Sequence, residues 1–373
     1  MTDNSGVKDT PKNQSKSESV SITMHNSDWQ TFLETQGAQI EDGVAQDFGA
    51  VADERIATRD GTVLCDLSQF GILKVSGEDA QSFLHNLCSN DIKAITPNLA
   101  QLNSLNTAKG RVLATFLVWQ NGAEYFLHLP ISLLTPIQKK LSMYVLRAKV
   151  KIEDVSSQHI CFGLAGKEAE TLLSACVGTL PQTALAVEHN AASSIIRLGH
   201  ERFQINTTPE HAVALWQQLS AQARPVGSPC WDWLNIRAGI PVILPATQEQ
   251  FVLQMLNLDL LGGVSFKKGC YPGQEIVARM HYLGKLKQRT FLAHVASDVA
   301  PQPNDALYSD DFAGQSSGNI LNSAPAPQGG YDVLATLQIS SVADSQIVHW
   351  KTPDGIALAL QAVPYDVPTQ KAT

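Results

Sequence analysis

The chain contains 373 residues, 44% of them hydrophobic, and carries a formal net charge of −8. Its length accommodates two or three domains, and the composition is ordinary for a globular protein. The sequence has no run of about 18 apolar residues, which disfavours a membrane span, and its acidic balance disfavours a protein that coats nucleic acid. We therefore expect neither a membrane nor a stably bound nucleic acid as a partner, although a local basic pocket remains compatible with this charge.

The cysteines are spread along the chain without a Cys-x-x-Cys pair; they are Cys65, Cys88, Cys161, Cys176, Cys230 and Cys270. This spacing disfavours a zinc site and a disulfide framework, so we expect reduced thiols, a cytoplasmic location and no bound metal. Residues 1–28 are rich in Ser, Lys, Asp and Asn and lack the apolar core of a signal peptide. They are predicted to form a disordered tail.

A first β-α-β-β-α-β unit is predicted after a short helix at residues 29–37. Ser76 is expected to cap its first helix, and the Asn121-Gly122 pair is a strong hairpin signal between its two middle strands. The expected strands are residues 70–75, 112–119, 125–129 and 150–153, and the expected helices contain residues 80–87 and 133–145. The alternation and helical spacing of the apolar residues support this order.

A similar order of elements follows, with strands at 160–164, 194–198 and 203–206, a helix at 167–176 and another from Pro209. Repetition of one supersecondary unit predicts two ferredoxin-like α+β subdomains. A helix beginning at Ser228-Pro229 and ending at Gly239 comes next. From residue 290 onward, short alternating segments such as 291–295, 333–339 and 356–362 predict a small antiparallel β-barrel. The predicted domains are 29–155 with 229–288, then 156–228, then 289–373.

The run from Lys268 to Glu275 (KGCYPGQE) predicts a tight, specified turn before a helix, because Gly269 and Gly273 can take positive φ at little cost. Cys270 would lie just before the positive N-terminus of that helix and beside two lysines, so we expect its thiol to ionise more readily than that of a free cysteine. The alternative is that Cys270 is a small buried hydrophobe.

The segment 267–289 has a positive net charge within an acidic chain, because it contains six cations and a single acid, Glu275. The cations are Lys267, Lys268, Arg279, Lys285, Lys287 and Arg289. This concentration of charge favours an anionic ligand, while a solvated basic face is the alternative.

The KGCYPGQE run resembles the YgfZ family of folate-binding proteins, relatives of the aminomethyltransferase (T-protein) of the glycine cleavage system. The resemblance extends to NIRAGIP at 235–241, QMLNLD at 254–259 and KLKQR at 285–289. It implies an α+β fold of three domains set around a central hole that holds tetrahydrofolate, with a β-barrel as the last domain. The discontinuous first domain would bind the folate.

The resemblance also implies a set of folate-binding residues: Asn90, Asp91, Arg111, Gln204, Arg237, Gly269, Tyr271, Gly273 and Gln274. Four of them have a simpler structural interpretation. Arg237 could complement a helix dipole, Asn90 and Asp91 could form a turn, and Arg111 could end the tight Lys109-Gly110-Arg111 turn. Gln204 falls where the transferases tend to have a pterin-binding glutamate, which is a departure from their pattern.

A second departure concerns the aspartate pair of the transferases, whose aligned positions here are Ala114 and Thr115, neither of which acts as a carboxylate. The resemblance thus implies an accessory factor that supports assembly or repair of iron–sulfur clusters in client enzymes, including radical methylthiotransferases acting on tRNA. Cys270 would be its reactive group, oriented or charge-balanced by Lys268 and Glu275. A folate-dependent one-carbon transferase and a scaffold that binds folate for structural reasons are the alternatives, and whether the protein turns over a substrate is left open.

Overall fold

A computed structural model describes Met1 and residues 26–368 of the chain. Most of the predicted disordered tail, residues 2–25, lies outside the described residues. Residues 26–28, which the same prediction included, form the start of the first helix. No helix in the described part of the chain is long and apolar enough to cross a membrane.

The described residues form nine α-helices and nineteen strands. The helices are α1 (Asn26–Thr35), α2 (Val51–Asp60), α3 (Ala80–Leu87), α4 (Ile131–Ser142), α5 (Ala169–Val177), α6 (Pro209–Ser220), α7 (Ser228–Arg237), α8 (Gln274–Tyr282) and α9 (Ile339–Ala343). The strands are β1 (Gln39–Glu41), β2 (Val44–Asp47), β3 (Thr62–Asp66), β4 (Phe70–Ser76), β5 (Gln101–Asn106), β6 (Val112–Asn121), β7 (Glu124–Pro130), β8 (Lys151–Asp154), β9 (Ile160–Gly166), β10 (Val187–His189), β11 (Ser193–Gly199), β12 (Arg202–Thr207), β13 (Arg224–Val226), β14 (Gln288–Val295), β15 (Ala306–Ser309), β16 (Ser316–Pro325), β17 (Tyr331–Gln338), β18 (Val348–Trp350) and β19 (Leu358–Gln361).

The first sheet is antiparallel and has the strand order β5-β6-β7-β4-β8. Strands β8, β4, β7 and β6 follow the order of a ferredoxin-like β-α-β-β-α-β unit, and β5 is an additional edge strand that the sequence pattern did not predict. Ser76 is the last residue of β4, and Asp79 instead occupies the N-cap position of α3, so the predicted cap was wrong. The predicted hairpin around Asn121 joins β6 to β7.

The second sheet has the order β10-β11-β12-β9-β3-β13, and only its β3–β13 pair is parallel. Strand β3 pairs antiparallel with β9 and lies between β9 and β13, so an N-terminal strand completes the second ferredoxin-like unit. The sequence division placed residues 62–66 in the first domain, whereas their strand pairings are with residues 160–166 and 224–226. Because these strands are far apart in the sequence, no local sequence pattern indicates that they pair.

The third sheet, antiparallel, has the order β18-β15-β16-β17-β14-β19. Its edge strands approach each other, because an isolated bridge joins His349 to Ala357 just before β19. The sheet therefore curls into a half-barrel near the C-terminus. This arrangement, together with the two preceding sheets, confirms the predicted α+β fold class.

Helix α7 connects the three sheets and positions the site described below. Its buried residues are distributed around the helix and not along one stripe, as is typical of a helix that is buried on several sides. The Trp231 ring packs directly on Gly163 of β9, where no room remains for a Cβ. On another side, Trp233 donates from Nε1 to Asp332 Oδ2 of β17 at 2.8 Å. Asp232 and Asn235 are held between these two anchors.

Candidate functional site

The loop that carries Cys270 docks against the turn that precedes β6. Gly273, the N-cap of α8, has φ of +81°, and Gly110 in the opposite turn has φ of +71°. A Cβ on Gly273 would lie 2.5 Å from Gly110 Cα and 2.5 Å from the carbonyl oxygen of Thr107. Both the backbone conformation and the close approach therefore require glycine at position 273.

Lys268 holds the other end of this loop. Its buried amine donates to the backbone carbonyls of His85, of Cys88 at 2.6 Å and of Asn90 at 3.2 Å. These carbonyls lie at and just beyond the C-terminus of α3, where a cation is favoured by the helix dipole. Burial lowers the pKa of Lys268 to about 8. The Lys268 amine is thus occupied by helix capping, which differs from the predicted role of balancing charge at Cys270.

Two motif side chains close the loop internally. Gln274 Nε2 donates to the carbonyl of Lys268 at 3.3 Å. Tyr271 is buried, which raises the pKa of its hydroxyl, and its ring centroid lies 4.9 Å from Lys268 Nζ. Gly269 is exposed, and a Cβ there would meet nothing within 4 Å. The motif residues therefore serve mainly to give this loop one conformation.

Cys270 is the exposed cysteine of the chain; Cys176 is half-buried, and the other four cysteines are buried. The reading of Cys270 as a small buried hydrophobe therefore does not hold. Burial raises the pKa of the Cys88 thiol to about 12 and that of Cys230 to about 11, which leaves them as inert thiols. Glu275 is exposed in the first turn of α8.

The basic segment divides into surface and buried cations. Lys267, Arg279, Lys285 and Lys287 are exposed. Arg289 is buried and forms a two-pronged ion pair with Asp259, with N–O distances of 3.0 and 2.8 Å. Arg289 therefore stabilises the fold, whereas the exposed cations of the segment lie at the surface.

A cavity of about 250 Å³, here called the central cavity, lies between the first two sheets and α7. It is lined by Phe70, Leu102, Thr115, Phe116, Leu117, His128, Pro130, Ala184, Leu185, Leu198, Gln204, Trp231, Asn235, Ile240, Pro241, Val242 and Leu261. The walls are mostly apolar and aromatic, with a few polar groups, as is usual for a small-molecule site.

Amides supply the polar groups of the central cavity that are available to a ligand. Gln204 is buried and donates from Nε2 to Asn206 Oδ1 at 3.0 Å. Asn235 accepts at Oδ1 from Arg202 Nη2 at 2.7 Å, and its Nδ2 makes no hydrogen bond to any described residue. The hydroxyl of Thr115 is engaged, because it donates to the carbonyl of Pro241 at 3.0 Å.

His128 is the one ionisable residue among those that line the central cavity. Burial lowers its pKa to about 3, so the imidazole is neutral at physiological pH. Its Nε2 lies 3.6 Å from the Sγ of Cys161, whose pKa is raised by burial. The cavity lining therefore contains no carboxylate and no charged group, which suits an uncharged ring with hydrogen-bonding edges better than acid–base chemistry.

Arg237, predicted to line a folate cavity, points elsewhere. Its guanidinium bonds to the side chain of Gln361 and lies 3.7 Å from Asp332 Oδ2, both in the third sheet. Arg111 also has a structural partner, since its Nη1 donates to the carbonyl of Gln250 at 2.6 Å. Neither arginine is among the residues that line the central cavity.

Asn90 and Asp91 connect the Cys270 loop with the cavity wall. Asn90 Nδ2 donates to the carbonyls of Leu102 at 3.2 Å and Gly262 at 2.7 Å, and its own carbonyl accepts from Lys268. Leu102 lines the cavity. Asp91 caps the following 3-10 turn and lies 3.1 Å from His85 Nδ1. One short chain of contacts thus joins Lys268, two residues from Cys270, to the cavity.

Sequence reasoning missed three residues that shape the central cavity: Trp231, Asn235 and Arg202. Arg202 is buried, lies 4.7 Å from the Trp231 ring centroid and bonds to Asn235. Burial lowers its pKa to about 10, which leaves it charged. The available signal was the spacing of Trp231 and Asn235, which places them on one face of α7. Among the described residues, no group of three His, Cys, Asp or Glu side chains is placed to hold a metal ion.

Comparisons with known proteins agree with this architecture. The family model described as the GCVT N-terminal domain matches residues 30–261. A tRNA-modifying protein YgfZ from Yersinia pseudotuberculosis is 30% identical over 311 residues, which cover 83% of this chain and 94% of that protein. Its counterpart from Colwellia psychrerythraea is 29% identical over 306 residues, covering 78% of this chain and 93% of the relative.

A solved structure of the glycine cleavage system aminomethyltransferase T from Bartonella henselae superposes with a TM-score of 0.72. It is 15% identical, and the match covers 90% of this chain and 96% of that protein. This likeness shows the shared fold, while the more similar sequences show the closer relationship. The chain therefore belongs to the GCVT family and, within it, to the group of YgfZ proteins.

Proposed function

We propose that this protein is a tetrahydrofolate-binding accessory factor that supports assembly or repair of iron–sulfur clusters in client enzymes, among them radical methylthiotransferases that modify tRNA. One observation carries the proposal: an exposed cysteine sits on a loop that is tied, through Lys268 and Asn90, to the wall of an uncharged aromatic cavity. The names of the relatives as tRNA-modifying proteins support the choice of clients.

The residues present in the central cavity fit a pterin. Aromatic and aliphatic walls suit the two faces of the ring, and the amides of Gln204 and Asn235 can donate to and accept from its edges. Bound tetrahydrofolate would supply a reduced pterin that carries or accepts a one-carbon group. The chain's part is to exclude water and to orient the ring with these two amides.

Cys270 supplies the reactive group in this proposal. A soft thiolate suits transient ligation of iron, transfer of sulfur, or attack on an oxidised species, and exposure makes each open to a client protein. The exposed cations of the same segment, Lys267 and Arg279 among them, would attract an anionic partner.

The transferase alternative is less well supported. At the positions where the transferases carry an aspartate pair, Ala114 is buried and Thr115 bonds to the backbone of Pro241. The central cavity therefore has no carboxylate with which to assist transfer to the folate nitrogens. Formation of methylenetetrahydrofolate from candidate amines by the purified protein would overturn our choice of function.

Two measurements test the proposal separately. Calorimetry with tetrahydrofolate should show binding to the unmodified protein, at least about tenfold weaker binding to Gln204→Ala, and unchanged binding to Gln217→Ala, a matched change at an exposed glutamine of α6. In cells that lack the protein, a Cys270→Ala variant should fail to restore client activity under oxidative stress while keeping its folate affinity. Full restoration by that variant would exclude the thiol mechanism.

A further inference from the structure

A second cavity, of about 280 Å³, adjoins the central cavity along α7. It is bounded by the β7–α4 junction, α7, residues 240–244 and strand β16 of the third sheet. Five residues belong to the walls of both cavities, so the two spaces abut; they are Phe70, Pro130, Asn235, Ile240 and Val242. Its other ten lining residues do not line the central cavity, and the proposed function makes no use of them.

Asp232 is the only ionisable residue among those that line the second cavity. No described cation forms an ion pair with it. Its ionisable neighbours Cys65 and Cys230 are thiols whose pKa values are raised by burial, so both are neutral. Burial raises the pKa of Asp232 to about 6, an effect that the nearby Gln69 amide opposes. At neutral pH the wall therefore carries one negative charge without a protein counter-ion.

Two further polar groups of the same wall lack partners. The side-chain Oε1 of Gln69 and the Oγ of Ser323 are buried and make no hydrogen bond to any described residue, whereas the amide nitrogen of Gln69 faces the Asp232 carboxylate. Buried polar atoms in folded proteins are normally paired, so unpaired ones in a cavity wall mark a place where a ligand would supply the missing partner. Three incomplete groups from three different elements converge here, since Gln69, Asp232 and Ser323 all line the cavity.

We propose that the second cavity binds a small aliphatic primary amine in its protonated form. The ammonium group pairs with the Asp232 carboxylate and donates to Gln69 Oε1 and Ser323 Oγ, while the hydrocarbon part lies against Phe70, Ile236 and Leu244. A divalent metal ion fits less well, because one carboxylate falls short of the oxygen ligands that such ions require. A neutral or anionic ligand would leave the carboxylate unpaired or repelled.

The experiment compares three probes with the same four-carbon chain: n-butylammonium chloride, n-butanol and sodium butanoate. Ligand-observed NMR on the full-length protein at pH 7.5 should show binding of n-butylammonium alone. The affinity for n-butylammonium should fall as the pH is lowered through about 6, because protonation of Asp232 removes the charge that the ammonium pairs with. Equal binding of n-butanol would overturn the proposal.

Variants make the test specific to the site. Asp232→Asn keeps the side-chain shape and should weaken n-butylammonium binding at least about tenfold, whereas Asp354→Asn, at an exposed acid of the β18–β19 loop, should leave it unchanged. Unaltered binding by Asp232→Asn would contradict the proposal. So would displacement of n-butylammonium by tetrahydrofolate, because it would place both molecules in one site. Failure of tetrahydrofolate to bind at all would affect the proposed function and leave this inference standing.

Discussion

Gly273 and Gly110 form a backbone-to-backbone contact in which each glycine has positive φ, and a Cβ on Gly273 would lie only 2.5 Å from Gly110 Cα. This contact joins the Cys270 loop to the turn before β6. The cysteine is therefore presented on a fixed surface, although the chain around it contains no regular structure until α8 begins at Gln274. Several consequences of this arrangement can be measured.

Gly273→Ala should undock the loop. A left-handed conformation costs an alanine about 1–2 kcal/mol, and the clash with Gly110 and the Thr107 carbonyl adds to it. Hydrogen exchange of residues 268–276 should accelerate markedly. Gly269→Ala is the matched control, because nothing lies within 4 Å of its Cβ and its exchange should be unchanged. Equal exchange in the two variants would show that the contact does not fix the loop.

Lys268→Met should lower the free energy of unfolding by about 2 kcal/mol, because it removes a charged donor shared by three carbonyls beyond α3. Chemical denaturation measures this change. The neighbouring exposed residue provides the comparison: Lys267→Met should change stability by less than about 0.5 kcal/mol. A loss of the same size for both lysines would point to net charge and not to capping.

Native-state alkylation should separate the cysteines by exposure. Iodoacetamide should modify Cys270 first and Cys176 more slowly, and the buried thiols should react only after unfolding. Mass spectrometry of peptides taken over time follows each site. In Cys270→Ala the fast phase should disappear, whereas in Cys176→Ala it should remain. Modification of Cys88 or Cys161 at the rate of Cys270 would be inconsistent with the fold.

The difference in stability between Asp232→Asn and the unmodified protein should depend on pH. The folded-state pKa of Asp232 is raised from 3.8 to about 6, so the native protein holds this proton more tightly than the unfolded chain and loses stability as the pH rises from about 4 through 6. Asparagine removes this penalty. The variant should gain on the order of 1–2 kcal/mol at pH 7.5 and almost nothing at pH 4. Thermal melts at both pH values measure this gain in stability. A gain of the same size at each pH would rule out ionisation of Asp232 as the cause.

Local sequence patterns predicted elements whose burial alternates or runs continuously, such as β6 and the helix that buries Leu133, Leu134 and Ile137. They failed for β5, because its buried residues are largely polar. Asn103 and Ser104 are almost wholly buried, and both are tied to the loop after α3 by hydrogen bonds with Asn90 and Ser89. Those partners precede β5 by about a dozen residues, so no periodicity within the strand reveals its burial.

The motif predicted the turn and the helix around Cys270, because glycine and proline act through the local backbone. The direction of Arg237 was not predictable in this way. Its side chain lies beside Asp332, which also binds Trp233 and His294. This acid lies almost a hundred residues later in the chain. The position of Asp232 in a cavity wall was not predictable for the same reason, because the other residues of that wall come from distant parts of the chain.

The insertion of β3 between β9 and β13 has a consequence for how the protein can be divided. A recombinant fragment of residues 156–228 would carry β9 with one edge bare, and its unpaired backbone groups would invite association with other chains. During synthesis, β3 emerges almost a hundred residues before β9, so this part of the molecule closes late and through a distant pairing. The N-terminal segment from Thr62 to Asp66 should therefore be retained in any shortened version meant to fold as a monomer.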